Sequence, residues 1–302
     1  MDELQITERP TLRRPILIVA SAGWADAGES ATMALRFMVR RWKAEVFAEL
    51  DPEPFYDFTQ ARPRVRLQQG ERVLEWPQNQ FAAHRVEDGD RDVILFQGTE
   101  PHLAWHAYTQ AVMGLCDEFG VSAMITLGAF RAEVSHARPA RVTGSSADPV
   151  LREQMGLTDA SVSRYQGPTG ITGVLDQAAR DAEIATASLW TSVPLYIEAA
   201  PNPKGALALL ERLNSGFGLG LTLHDLEVFG ARFDAQVAAA VAQNPEMADY
   251  ARRLEEREQE GDAAGEPQSQ PEDAGEPLDP KAMVDDIERF LREQREEREE
   301  ER

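Results

Sequence analysis

The stretch PILIVASAGWADAGESATMALRFMV, residues 15 to 39, reads as a strand, a glycine loop and a helix in immediate succession. Ile16 to Ala20 form a short apolar run of the kind found in a strand buried on both faces. Ala27, Ala31, Ala34, Leu35 and Met38 then recur at helical spacing, and Gly23 and Gly28 bracket the turn between the two elements. Glycine there permits a positive φ and a close backbone approach, while the new helix aims unpaired N–H groups at whatever fills the crevice at the strand's end.

The loop comes within one residue of a nucleotide-binding P-loop. Gly23 and Gly28 have the required separation and Ser30 sits at the Ser/Thr position, but Glu29 stands where the lysine belongs. A carboxylate repels the triphosphate that lysine would attract, so P-loop nucleotide hydrolysis is not expected. Trp24 and Asp26 are unusual at the tip of a plain connector, and Asp26 is also placed to cap the helix through its side-chain oxygen.

Outward from this unit, residues 1 to 221 alternate between strand and helix patterns. Strands are expected at Ile16 to Ala20, Glu45 to Leu50, Val65 to Gln68, Val73 to Trp76, Val93 to Gln97, Ala123 to Leu127, Arg141 to Thr143 and Val193 to Ala199. The longest helices are expected from Pro101 to Phe119, with Pro101 at the first helical position, and from Lys204 to Leu213. Such alternation predicts a three-layer α/β/α sandwich around a mostly parallel sheet. Residues 222 to 260 change character: Leu226, Phe229, Phe233, Val237 and Val241 make one helical stripe, and Asn244 with Pro245 opens a second helix, predicting a hairpin. Residues 261 to 278, GDAAGEPQSQPEDAGEPL, lack the apolar content to offset ordering and predict a disordered acidic linker. Beyond it, Asp279 and Pro280 open a charged amphipathic helix over residues 279 to 302, with Met283, Val284, Ile287, Phe290 and Leu291 on one face.

Composition narrows the function classes. The formal net charge is −21 over 302 residues, with −12 of it from Glu255 onward and −9 before, so nucleic acid is a poor partner for either part. No apolar run approaches the roughly 20 residues that span a bilayer, and the opening MDELQITERP is charged rather than signal-like. A cytoplasmic protein without a membrane partner is expected. The single cysteine, Cys116, shares its segment with Leu115 and Phe119 and reads as core rather than nucleophile.

Polar constellations recur just past strand ends, where a parallel sheet places its ligands. In FQGTEPHLAWHAY, residues 96 to 108, Glu100 follows the strand, and His102 and His106 fall at i and i+4 on the expected helix. The glutamate and third histidine of zinc signatures are missing, so no metal is expected. In LGAFRAEVSHARP, residues 127 to 139, Gly128 marks the strand end and His136 and Arg138 the loop. In RYQGPTGITG, residues 164 to 173, a sharp turn lies near Tyr165 and Thr169. No G-x-S-x-G elbow exists, and no catalytic residue or cofactor is assigned. Asp26 and Glu100 could form an acid/base couple if both strand ends face one crevice, or could simply cap two helices.

In order, GWADAGE, ELDPEPFYDFTQARP, FQGTEPHLAWHAY, LGAFRAEVSHARP, YQGPTGITG and LWTSVPLYIEAAPNPKGALALLERL resemble the proteasome assembly chaperone type 2 family, specifically its long actinobacterial branch. The resemblance covers roughly residues 12 to 258. It implies a fold related to purine nucleoside phosphorylases, followed by a small helical region, and assembly into homo-oligomers, a trimer foremost. It implies no established reaction. Relatives escort proteasome subunits, and some dock through a C-terminal hydrophobic-tyrosine-any-residue tripeptide; Glu300, Glu301 and Arg302 do not match it, so proteasome subunits are expected as partners by another route. Val134, Ser135 and Ala137 stand where the family pattern leads one to expect a proline and a threonine around His136 and Arg138. Two readings follow: a non-catalytic assembly or interaction protein, or a nucleoside-like small-molecule site where Gly23, Trp24, Asp26, Gly28, Glu100, Gly128, His136 and Arg138 converge, with Tyr165 and Thr169 nearby.

The linker reading has a direct consequence. Limited proteolysis should cut first within residues 261 to 278, and removal of residues 261 to 302 should leave the melting temperature and oligomeric state almost unchanged if the last helix serves a partner. A large loss of stability on that removal would place the helix within the fold.

Overall fold

Along β2 (Ile16–Ala22), every residue from Ile16 to Ser21 is buried, and the side chains divide by parity. Ile16, Ile18 and Ala20 enter one apolar cluster, and Leu17 and Val19 enter a second. A strand covered on both faces must be sandwiched between helical layers, and this is a three-layer α/β/α fold. The computed structural model describes residues 3–68, 70–87, 89–157, 166–197 and 200–259. The linker expected at 261–278 and the helix expected at 279–302 lie outside the described residues.

The other strands are β1 (Leu4–Ile6), β3 (Glu45–Leu50), β4 (Arg64–Gln68), β5 (Glu71–Glu75), β6 (Gln80–His84), β7 (Val93–Thr99), β8 (Ala123–Ala132), β9 (Val142–Ser145) and β10 (Ala185–Pro194). Eight of them form one sheet in the order β1-β3-β6-β7-β2-β8-β10-β9, and β4 pairs only with β5. The four central strands β7, β2, β8 and β10 are parallel. The flanks are antiparallel, which corrects the expectation of a mostly parallel sheet. Sequence patterning registers burial, and burial does not distinguish strand direction at the flanks.

One helical layer contains α1 (Ser30–Trp42), α3 (Pro149–Gln154) and α5 (Pro203–Phe217), and the other contains α2 (Trp105–Phe119) and α4 (Ile171–Asp181). Cys116 is buried in the second layer, and burial pushes its thiol up to about 12, out of reach of a nucleophile's role. The hairpin of α6 (His224–Gln243) and α7 (Pro245–Gln259) carries a third cluster, in which Phe233, Val237 and Met247 close on Tyr196 and Ile197. No described helix is long and apolar enough to cross a membrane.

Three expectations shift. β10 occupies Ala185–Pro194 rather than residues 193 to 199, because its small polar residues Thr186, Ser188 and Ser192 mask the strand pattern while Ala187, Leu189 and Val193 supply the buried face. β1 and β6 are short strands that the patterning passes over. Helix α2 starts at Trp105, not at Pro101, because His102 and Leu103 donate their N–H groups to Phe55 O at 2.9 and 3.1 Å and stay outside the helix.

Gly128 faces Trp190 in the parallel register of β8 and β10. A Cβ built there would stand 2.5 Å from the indole ring, closer than any real contact. Gly128→Ala should therefore force the ring or the strand aside and lower stability by about 1–3 kcal/mol, read by chemical denaturation. A neutral change would show that Trp190 repacks freely.

Candidate functional site

The parallel arrangement of β7, β2, β8 and β10 brings the loops that follow them to one edge of the sheet. After β2 the chain turns through Gly23 at φ +134° and Gly28 at φ +57°. Asp26, buried between them, turns its carboxylate back onto α1: Oδ1 accepts from Ala31 N–H at 2.7 Å and Thr32 N–H at 3.3 Å, and Oδ2 from the Thr32 hydroxyl. Burial raises its pKa from the ordinary range, with these hydrogen bonds pulling the other way. The Ala129 N–H donates to Ala25 O at 2.8 Å, so the loop is also stitched to β8. Glu29, in the position of the missing lysine, pairs with Arg36 at 2.8 Å.

Glu100 bridges two segments distant in sequence. Its Oε2 accepts from Trp24 N–H at 3.1 Å and its Oε1 from Ile171 N–H at 3.0 Å, at the first residue of α4. Close packing makes the bridge possible, since a Cβ on Gly23 would stand 2.8 Å from Glu100 Cβ and one on Gly170 2.8 Å from Glu100 Oε1. Trp24 itself is 64% exposed. Thr169 lies against the first turn of α4, where a Cβ on Gly173 would collide with its hydroxyl.

The loop after β8 makes a second cluster under the α6–α7 hairpin. The backbone N–H of His136 donates to Tyr196 Oη at 2.8 Å, and the imidazole Nδ1 lies 2.6 Å from the same oxygen. Burial first, then the charge of Lys204, lowers the His136 pKa, which favours the neutral ring that can accept the tyrosine proton. Lys204 Nζ donates to His136 O and pairs with Asp234 at 3.0 Å. Ser135 donates its N–H to Glu258 and its hydroxyl to Glu255, each at 3.0 Å. A cleft of about 420 Å³, open mouth included, is bounded here by His136, Arg138, Asn202, Lys204, Phe233 and Glu258 among others.

The described sequence candidates thus fall into two neighbouring groups, with Asp26 and Gly28 between them and Gly128 apart. Gly23, Trp24, Glu100 and Thr169 gather at the α4 N-terminus, and His136 and Arg138 line the cleft. Asp26 and Gly28 lie between, with Gly28 O accepting Asn202 N–H at 2.7 Å. Gly128 sits behind the edge under Trp190, and Tyr165 lies outside the described residues. His102 precedes α2 rather than sharing a helical face with His106, and its Nδ1 accepts Asp57 N–H at 3.1 Å. Among the described residues there is no group of three or more metal-ligating side chains.

Sequence reasoning did not single out Tyr196, Asn202, Lys204 or Asp234. Asn202 carried a signal, because Asn followed by Pro marks a helix start, and its Oδ1 accepts from both Lys204 N–H and Gly205 N–H at 3.1 Å. Nothing in one dimension joins Tyr196 to His136.

No curated protein matches the chain. The defining pattern of the PAC2 family matches residues 20–241. The crystal structure of a PAC2 family protein from Streptomyces avermitilis is 37% identical, over 78% of this chain and 99% of that one, with a TM-score of 0.71. A proteasome-assembly chaperone homologue from Mycobacterium tuberculosis is 33% identical, over 78% and 99%, with a TM-score of 0.69. An archaeal proteasome activator from Pyrococcus furiosus shares the fold at 20% identity, over 79% and 99%, with a TM-score of 0.65. With three quarters of its length inside the family pattern, the chain belongs to the PAC2 family.

Proposed function

We propose that this chain is a non-catalytic cytosolic assembly or interaction protein of the proteasome-chaperone kind, working as a homo-oligomer. One observation carries the reading: at the edge where an α/β enzyme would present reactive groups, the carboxylates and the amide at three helix ends are spent on the fold. Asp26 closes the N-terminus of α1, Glu100 that of α4 and Asn202 that of α5. A phosphate or carboxylate ligand arriving at α1 or α4 would meet a carboxylate already there. The kinship with the Mycobacterium tuberculosis proteasome-assembly chaperone homologue supports the same reading. The cleft beside His136, Arg138 and Lys204 favours the alternative, a small-molecule site, through its polar and cationic lining.

Affinity capture from a native lysate of the source organism, with mass spectrometry of co-purifying proteins and retained small molecules, separates the two. Proteasome subunits are expected in the captured material. Their absence together with a stoichiometric small molecule would overturn the proposal.

Glu100 offers an independent check. Glu100→Gln exchanges one of two accepting oxygens for an amide nitrogen and should lower stability by about 1–2 kcal/mol while leaving partner capture intact. Unchanged melting with lost capture would make Glu100 a contact residue instead of a joint.

A further inference from the structure

The β4–β5 hairpin stands outside the main sheet as a two-stranded ribbon. Its register pairs Val65 with Leu74 and Leu67 with Arg72, so Val65, Leu67 and Leu74 share one face of the ribbon. Leu67 is 73% exposed and Leu74 56%, and Trp76, in line with Leu74, is 44% exposed. Trp76 meets the Phe58 ring edge-on at 4.8 Å, which roots the ribbon in the body. A two-stranded ribbon with a bare apolar face is marginal in water, and exposed apolar patches of this kind mark interaction surfaces.

Charge points to the occupant. Between Ala61 and Trp76 the chain has four arginines against Glu71 and Glu75, a net of +2 on a protein whose total is −21. The ribbon is a basic, apolar arm on an acidic body, and its electrostatic complement is the surface of another such body.

We propose that the β4–β5 ribbon docks on a second copy of this chain. The contact is arm to body rather than arm to arm, since two net-positive arms would repel, and it closes either reciprocally in a two-fold dimer or head to tail in a larger ring. This inference rests on the homo-oligomer proposed above.

Size-exclusion chromatography with light scattering at micromolar concentration tests it. The unaltered chain should have a mass of two or more copies, and L67E/L74E should elute at the mass of one copy with an unchanged circular dichroism spectrum, because both side chains are exposed in the protomer. If the double variant precipitates, Leu67→Ser alone should raise the dissociation constant at least tenfold. An oligomer that survives these substitutions overturns the arm while leaving the homo-oligomer standing, and a monomeric unaltered chain overturns both.

Discussion

Helix N-termini bring unpaired backbone N–H groups and the positive end of a dipole to the carboxyl edge of the sheet, and the chain must satisfy them. Here it does so with its own side chains. Asp26 reaches forward into α1, Asn202 into α5, and Glu100 leaves its own strand to reach α4 across 71 positions of sequence. The last of these also holds the backbone of Trp24, so the same carboxylate that quiets a helix end fixes the 23–28 loop over it. Much of the edge geometry follows from this requirement. Gly23 and Gly170 leave room for the Glu100 side chain, and Gly28 approaches Asn202 closely enough for a 2.7 Å hydrogen bond between their backbones.

Behind the edge, the parity of the central strands assigns side chains to two cores, one under α1 and α5 and one under α2 and α4. One set of polar groups at the second core is held by a single side chain. Asn79 Oδ1 accepts from Tyr56 Oη at 2.8 Å, Tyr108 Oη at 3.1 Å and Thr99 N–H at 3.1 Å, tying the 51–61 loop to the end of β7. On the other side, the His136–Tyr196 pair and the Lys204–Asp234 pair seat the α6–α7 hairpin on the loops after β8 and β10. Tyr250 of α7 extends the same contact by meeting Tyr196 edge-on at 5.9 Å. The hairpin enters the first core through Leu226 of α6 and is otherwise joined to the edge by these polar contacts and the third apolar cluster around Tyr196, Ile197, Phe233 and Val237.

That division separates what the edge presents from what it hides. The carboxylates of Asp26 and Glu100 and the His136 imidazole face inward to backbone and phenol, whereas Trp24 and Leu103 face solvent. Exposed apolar side chains beside carboxylates already hydrogen-bonded to the backbone suit contact with a protein surface. The same contrast holds at the β4–β5 ribbon, whose apolar face is bare while its root is packed.

The sequence alone determined the layers, because burial on both faces is written in runs such as Ile16 to Ala20 and in the periodic stripes of α1, α6 and α7, and burial is a local, periodic property. It also marked Gly23, Asp26, Gly28 and Glu100 as residues of the edge, since turn chemistry and capping use few residue types at fixed offsets. Only the tertiary structure decided that Glu100 serves α4 and not the helix beside it, that His136 meets Tyr196, that Gly128 yields to Trp190, and that the flanking strands run antiparallel. These are pairings between residues tens of positions apart, and no periodicity or local propensity carries information about which distant partner the packing will supply.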